Sequence, residues 1–170
     1  MGGDLTLVEQ FLNTLDERTF RRHGQQHVPA DHLTSVEDLA GWLEEHSLAG
    51  RPLSPADLTA AVALRTALRA ALSDDAKAAE ALAGFPLRLT PDASGTLRVT
   101  AVSDVPGLDA VVETVASSVA AGGWHRVKLC AAEDCRWAFY DTSRNGGGRW
   151  CHMEACGNRT KTRTYRRRAD

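Results

Sequence analysis

The sequence has no apolar run long enough to cross a bilayer, and aromatic residues make up only 6% of its 170 residues. Its amino-terminal segment, MGGDLTLVEQF, lacks the basic region and the continuous apolar core of a secretion signal. We therefore expect a soluble cytoplasmic protein with no membrane partner.

Patterns that carry catalysis are also missing. The sequence has no phosphate-binding loop and no nucleophile paired with a base, and it lacks the combination of His-x-Glu with Pro-Cys-x-x-Cys that zinc deaminases use. His23, His27 and His32 lie in a segment with Gly24 and Pro29, without organised acidic partners, so we interpret them as surface histidines. The sequence predicts no catalytic residue and a protein that is not an enzyme.

Charge is divided unevenly along the chain. Residues 1–123 contain nine Lys and Arg against 17 Asp and Glu, a net charge of −8, whereas residues 124–170 contain 11 against five, a net charge of +6. An acidic body with a basic end favours binding of a polyanion by that end, because phosphate attraction depends on local charge. A solvated basic tail is the alternative that charge alone leaves open.

Helical periodicity dominates residues 1–123. Apolar residues recur every three or four positions in four segments, which we predict to be helices: residues 4–18, 35–46, 54–72 and 106–123. Ser35 and Ser54 are each followed three residues later by an aspartate, as at capped helix N-termini. The apolar stripes predict a core that includes Leu15 in the first segment and Val119 in the last.

The periodicity changes once in this region. The segment LRLTPDASGTLRVTAV alternates apolar and polar residues around a Pro-Asp-Ala-Ser-Gly turn, which predicts a β-hairpin with strands near 87–90 and 96–102. Residues 21–34 are polar and contain glycine and proline, so we expect a loop there. The predicted fold is α+β, with residues 1–123 forming a mainly helical regulatory or dimerisation domain with one β-hairpin.

The four cysteines lie close together in the sequence, as Cys130, Cys135, Cys151 and Cys156. Their pattern, C-x4-C-x15-C-x4-C, supplies two equal pairs, and a tetrahedral zinc site needs two such pairs brought together by the intervening span. Disulfides and free buried thiols are the alternatives, and a reducing cytoplasm disfavours disulfides. We predict one structural Zn²⁺ held by four thiolates, with no open position for a catalytic water.

Residues 124–170 are predicted to fold as a small module around this zinc. The segments WHRVKL and RWAFYD have strand-like character, TSRNGGG is typical of a turn, and the second cysteine pair lies near the start of a helix. This order of knuckle, hairpin and helix predicts a treble-clef-like module. Its small core would be formed by Trp137, Phe139, Tyr140 and Trp150, and stacking on nucleic-acid bases is the alternative role for an exposed one of them.

The tetrapeptide CGNR, at Cys156–Arg159, closes the cysteine block, and a basic run follows it. In these features residues 124–168 resemble the CGNR zinc-finger family. The segment FLNTLDER, from Phe11 to Arg18, resembles the start of the helical domain usually paired with that finger, the ABATE-like type described as a putative stress-induced transcription regulator. The resemblance implies a bacterial transcription regulator whose zinc module binds DNA.

The basic residues after Cys156 indicate how such a module would contact DNA. A helix that begins near Glu154 places Arg159, Arg163 and Arg166 or Arg167 along one face, where they can dock on phosphates or in the major groove. Asn158 and Arg159 can either read base edges or support the zinc knuckle, and the supporting role is favoured for Asn158. The predicted nucleic-acid-binding residues are Asn158, Arg159, Lys161, Arg163, Arg166, Arg167 and Arg168.

Two functions of different classes fit this pattern. The first is a DNA-binding transcription regulator, and the second is a zinc-stabilised protein- or RNA-interaction module without sequence-specific DNA readout. Because one small module buries little area on DNA, specific binding favours a homodimer or a tandem arrangement. The two-part organisation also suggests a small-molecule effector bound by the N-terminal domain.

Overall fold

A computed structural model describes residues 5–22, 24–103 and 105–169. His23 and the predicted helix start at residue 4 lie outside the described residues, as do the side chains of Arg167 and Arg168. The described helices are α1 (Thr6–Leu12), α2 (Val36–Glu45), α3 (Pro55–Ala71), α4 (Ala76–Ala79), α5 (Pro106–Ala120) and α6 (Asn158–Ala169). None of them has the length and apolar character needed to span a bilayer.

Eight short strands form four antiparallel pairs within the described ranges, β1 with β4, β2 with β3, β5 with β6, and β7 with β8. The strands are β1 (Leu15–Asp16), β2 (Arg21–Arg22), β3 (Gln25–Gln26), β4 (Ala30–Asp31), β5 (Leu87–Pro91), β6 (Leu97–Ala101), β7 (Val127–Leu129) and β8 (Ala138–Tyr140). The predicted α+β class is confirmed, and β5 and β6 form the predicted hairpin.

One apolar core joins α1, α2, α3 and α5. Phe11 of α1, Leu64 of α3 and Leu108 of α5 are buried in it, and each side chain of this size contributes about 1.5–3 kcal/mol to stability. Val127 of β7 and Ala138 of β8 belong to the same buried cluster. The core of the helical region therefore includes the first strands of the cysteine-containing region.

Helix α1 ends at Leu12, earlier than the sequence predicts. Thr14 Oγ1 donates a 2.7 Å hydrogen bond to a main-chain carbonyl in the last turn of the helix, and residues 15–16 then form β1. Short polar side chains that bond locally compete with helical backbone hydrogen bonds. The prediction of a helix through residue 18 is wrong for this reason, and Leu15 is only partly buried.

Residues 21–34 contain three of the two-residue strands, where the sequence predicts a loop. Strands β2 and β3 are joined by a turn in which Gly24 has a φ of +79°, a conformation that favours glycine. These pairs consist mostly of polar residues with no apolar alternation, which is the signal that a strand prediction needs. The loop prediction is corrected accordingly.

Two buried arginines on α3 connect the core to the segments that follow α1. Arg65 donates hydrogen bonds of 2.7 and 2.6 Å to the carboxylate of Asp31. Arg69, one turn later, donates to the carbonyl of Leu12 at 3.0 Å, pairs with Glu17, and donates to the carbonyl of Arg136 at 3.0 Å. Arg69 therefore joins α1 directly to the cysteine-containing region.

The β5–β6 hairpin has one apolar face that the chain leaves exposed. Leu89 opposes Val99 and Pro91 opposes Leu97, and Leu89 and Leu97 are 67% and 65% exposed. Val119 at the end of α5 is also exposed, so its predicted burial is wrong. Helical spacing shows which face is apolar but not whether another element covers it.

Candidate metal centre and adjoining basic surface

The first cysteine pair lies where β7 and β8 diverge. The strands pair from Val127 opposite Tyr140 to Leu129 opposite Ala138. The Cys130 amide then donates a 2.9 Å hydrogen bond to the carbonyl of Trp137, just before β8. The Cys135 amide donates to the carbonyl of Ala132 at 2.9 Å, closing a tight turn. This turn places both thiols of the pair on the same side of the knuckle.

A loop anchored by Asp141 carries the chain back to the second pair. Its carboxylate accepts hydrogen bonds of 2.7 Å from both Lys128 Nζ and the Gly148 amide. A Cβ at Gly148 would lie 2.5 Å from Asp141 Oδ1, so only glycine fits there. The Ala131 amide then donates to the carbonyl of Arg149 at 2.8 Å, which holds the returning chain against the knuckle.

Cys156 of the second pair lies in a wide helical turn, Met153–Gly157, that leads into α6, and Cys151 lies just before this turn. The Cys156 amide donates a 2.8 Å hydrogen bond to the carbonyl of His152. A Cβ on Gly157 would lie 2.3 Å from Met153 Sδ and 3.0 Å from a ring carbon of Trp150. The exposed Met153 side chain could move aside, so the main effect of the glycine of the CGNR tetrapeptide is to let the ring of Trp150 pack directly against this turn.

The four Sγ atoms of Cys130, Cys135, Cys151 and Cys156 lie within 4.8 Å of one another. The Cys151 sulfur is 3.6 Å from that of Cys135 and 3.7 Å from that of Cys156. A tetrahedron with Zn–S bonds of about 2.3 Å has sulfur–sulfur edges of about 3.8 Å, whereas a disulfide bond is about 2.0 Å long. The donor set and its spacing fit Zn²⁺, and the cysteines are free of disulfides.

Electrostatics make this cluster dependent on a cation. The pKa of the Cys151 thiol is raised far above its ordinary value by hydrogen bonding with Cys130 and Cys135 and by burial. Bound Zn²⁺ would offset the mutual repulsion of the four thiolates, and four sulfur ligands would satisfy its usual coordination number at a structural site. The predicted single structural zinc site is confirmed, and His152 is exposed beside it.

Arg159 of the CGNR tetrapeptide is turned toward the knuckle. It donates a 2.7 Å hydrogen bond to Asp134, lies 3.7 Å from Cys156 Sγ, and stacks 3.8 Å above the ring of Phe20. Arg163 reaches the same carboxylate at 2.8 Å. The first two members of the predicted arginine row therefore fix α6 against the turn that carries the first cysteine pair.

The other predicted nucleic-acid-binding residues have different surroundings. Asn158, Lys161 and Arg166 are exposed on α6, and Arg163 remains 53% exposed despite its ion pair. No hydrogen bond of the Asn158 side chain occurs within the described part of the chain. This exposure leaves Asn158 available to an external partner, whereas the Arg159 guanidinium is already occupied.

The segment FLNTLDER holds the metal centre against the helical core, a role that sequence reasoning missed. Asn13 donates to the carbonyl of Ala138 at 2.9 Å and accepts from its amide at 2.8 Å, so its side chain pairs with β8 as a strand would. Arg18 stacks 3.9 Å above the ring of Trp137. In the sequence, only the family resemblance of FLNTLDER indicated that this segment has a special role.

Arg21 and Arg22 were also missed as candidate site residues. They line an open cleft of about 370 Å³ together with Glu154, Ala155 and Arg159. The doubled arginine was visible in the sequence, but the predicted loop gave no indication that it lies beside α6. The structure thus places basic residues from both ends of the chain around one cleft.

The fold and the cysteine cluster together define a helical α+β domain that carries a structural zinc module. Residues 5–134 match the family described as "Putative stress-induced transcription regulator" (ABATE), and residues 126–169 match the CGNR zinc finger. The chain belongs to this ABATE family, and the resemblance drawn from its motifs is confirmed. The two matches share residues 126–134, which include β7 and Cys130. No curated protein matches the chain.

Proposed function

We propose that this chain is a zinc-dependent, DNA-binding transcription regulator of the bacterial cytoplasm. Residues 1–123 would serve regulation and dimerisation, and residues 124–170 would present α6 to DNA. The observation that carries the proposal is the contact of Arg159 and Arg163 with Asp134. These ion pairs link the helix to the knuckle, so the metal governs where the remaining basic residues point.

The surface proposed to meet DNA consists of the exposed residues of α6. Lys161, Arg163 and Arg166 supply charge, and Asn158 lies at the start of the helix with its amide free to meet a base edge. Arg167 and Arg168 continue the basic sequence and extend the proposed surface. Arg159 acts mainly by positioning this helix.

Selection of genomic DNA fragments by the purified protein tests the proposal. We expect enrichment of a common sequence that disappears when a chelator removes zinc. With about five phosphate contacts, the logarithm of affinity should fall against the logarithm of salt concentration with a slope of about −4 to −5. Binding to RNA or to an acidic protein, without preference among duplex sequences, would favour the interaction-module alternative. Hydrolysis of a tested substrate would contradict a purely regulatory role.

A homodimer is proposed to form through the apolar face of the β5–β6 hairpin. An isolated two-stranded hairpin is marginally stable, and a second copy offers the same apolar face, as a two-fold interface requires.

Light scattering of Leu89→Arg tests this interface. We expect the wild-type chain to be dimeric and the variant to be monomeric, because a charge at the centre of the apolar face cannot be buried. Arg88→Gln, on the opposite face of the same strand, is the matched control and should stay dimeric. A monomeric wild-type chain would contradict the proposed dimer.

The cleft between α1 and α2 is the proposed effector site of the N-terminal domain. It has a volume of about 830 Å³ and is lined by the rings of Trp42 and Trp137 and by the carboxylates of Glu37 and Glu45. Aromatic walls with acidic groups favour an organic cation. A thermal-shift panel of amines should therefore stabilise the chain, less so in Glu45→Gln, and a panel without effect would contradict this site.

A further inference from the structure

The turn that joins β2 and β3 brings Arg21 and Arg22 to the start of α6. Arg21 is exposed and Arg22 half-buried, and both line the cleft formed with Glu154, Ala155 and Arg159. Because Arg159 is already paired with Asp134, the lining has two further guanidinium groups against the one carboxylate of Glu154, a net charge of +1. A cleft of this charge attracts an anion.

The position of this turn is set by the zinc module itself. The Thr19 amide donates a 3.0 Å hydrogen bond to the carbonyl of Asp134, between the first two cysteines. Phe20 is buried against the cysteine cluster, beneath the Arg159 guanidinium and 4.6 Å from the His27 ring. The arginines that follow Phe20 are therefore held at a fixed place relative to α6.

Arg21 and Arg22 differ from the neighbouring arginines in having no side-chain partner among the described residues. Arg18 pairs with Asp16 and Arg159 pairs with Asp134. Neither Arg21 nor Arg22 makes a side-chain hydrogen bond or ion pair with any residue in the described ranges. Adjacent unpaired guanidinium groups beside a basic helix repel one another, and a bound phosphate would relieve that repulsion.

We infer that Arg21 and Arg22 bind the phosphate backbone of the same DNA that α6 contacts. The polyanion site is then composite, with one part from the segment that follows α1 and the other from α6. This inference rests on the proposed DNA-binding function and extends it to residues of the N-terminal region. Guanidinium groups suit such contacts, because they can donate two parallel hydrogen bonds to one phosphate.

The inference is tested with the double variant R21Q/R22Q and a DNA fragment that the wild-type chain selects. Two phosphate contacts are lost, so the salt slope should become shallower by about 1.8, and affinity at 0.15 M salt should fall about tenfold or more. The control R88Q/R98Q removes the same charge from the β5–β6 hairpin and should leave the slope unchanged. The conservative variant R21K/R22K should keep most of the slope.

The zinc content and thermal unfolding of R21Q/R22Q should equal those of the wild-type chain, which distinguishes lost contacts from misfolding. A wild-type slope and affinity in R21Q/R22Q would overturn the inference while leaving the proposed function intact. An equal loss in R88Q/R98Q would also overturn it, because net charge rather than position would then be responsible. A wild-type chain that binds no DNA would overturn the proposed function and the inference together.

Discussion

The apolar core around Phe11 and Leu64 and the cluster around the cysteines differ in what each can bury. The core combines side chains from four helices with two residues of β7 and β8, and it can be stable through burial alone. The buried residues of the cysteine cluster are Phe20, Ala132 and three of the cysteines. Of the four aromatic residues predicted to form its core, Trp137, Phe139 and Trp150 are partly buried against it, whereas Tyr140 is exposed, so its predicted burial is wrong. So small a cluster needs a metal, since binding of structural zinc supplies the free energy that a small core lacks.

The largest expected difference between the two regions is in their response to the loss of zinc. In Cys156→Ser we expect DNA affinity to fall more than 100-fold while α1, α2, α3 and α5 stay folded, because those helices do not depend on the metal. Hydrogen exchange should show lost protection in residues 130–157 and retained protection in α3. Cooperative loss of protection across both regions would contradict the comparison.

The next largest expected effect is that of a cavity in the helical core, which should lower the stability of that core. Phe11→Ala should lower the free energy of unfolding by about 3–5 kcal/mol, because it leaves a void among fully buried side chains. Arg88→Gln, at an exposed site outside the proposed dimer interface, is the control and should change stability by less than about 0.5 kcal/mol. Denaturant unfolding measures the free energy of unfolding of both variants. Equal losses in the two would show that burial of the side chain does not determine the cost of the substitution.

Asn13→Ala should weaken the connection between the regions. The variant leaves the amide and carbonyl of Ala138 without their partner, which costs about 1–3 kcal/mol. Asn13→Asp keeps the acceptor but sets a second carboxylate oxygen against the carbonyl of Ala138, so it should not restore the wild-type stability. Zinc release to a chromophoric chelator should be faster in Asn13→Ala. An unchanged release rate would mean that the FLNTLDER segment packs the helical core without supporting the metal centre.

The smallest expected effect is a pH dependence that belongs to the helical region alone. Hydrogen bonds from Arg51, and from Ser54, hold the pKa of Asp57 well below its ordinary value. Stability from this group is therefore present above the unfolded pKa of about 3.9 and is lost as pH falls through the folded value. In Asp57→Asn the free energy of unfolding should depend less on pH below about pH 5, and zinc affinity at pH 7 should not change. The same pH dependence as in the wild-type chain would contradict this role of Asp57.

Sequence reasoning succeeded where a local rule decides the structure. Cysteine spacing predicted the zinc site, alternation predicted the β5–β6 hairpin, and serine with aspartate three residues on predicted the starts of α2 and α3. It could not find contacts between distant residues, such as Asn13 with Ala138, because nothing local in either segment specifies the other. The orientation of Arg159 was undecidable for the same reason, since Asp134 and Phe20 lie far from it in sequence.

The ring of Phe20, from the N-terminal part of the chain, covers one side of the cysteine cluster. A fragment cut between residues 123 and 124 would keep all four ligands yet lose this ring and the backbone contact made by Thr19. Its sulfur atoms would then meet dissolved oxidants, and thiolate oxidation releases zinc. The zinc module would therefore not keep its metal as well when separated from the rest of the chain, because its protection from oxidation depends on residues of the N-terminal domain.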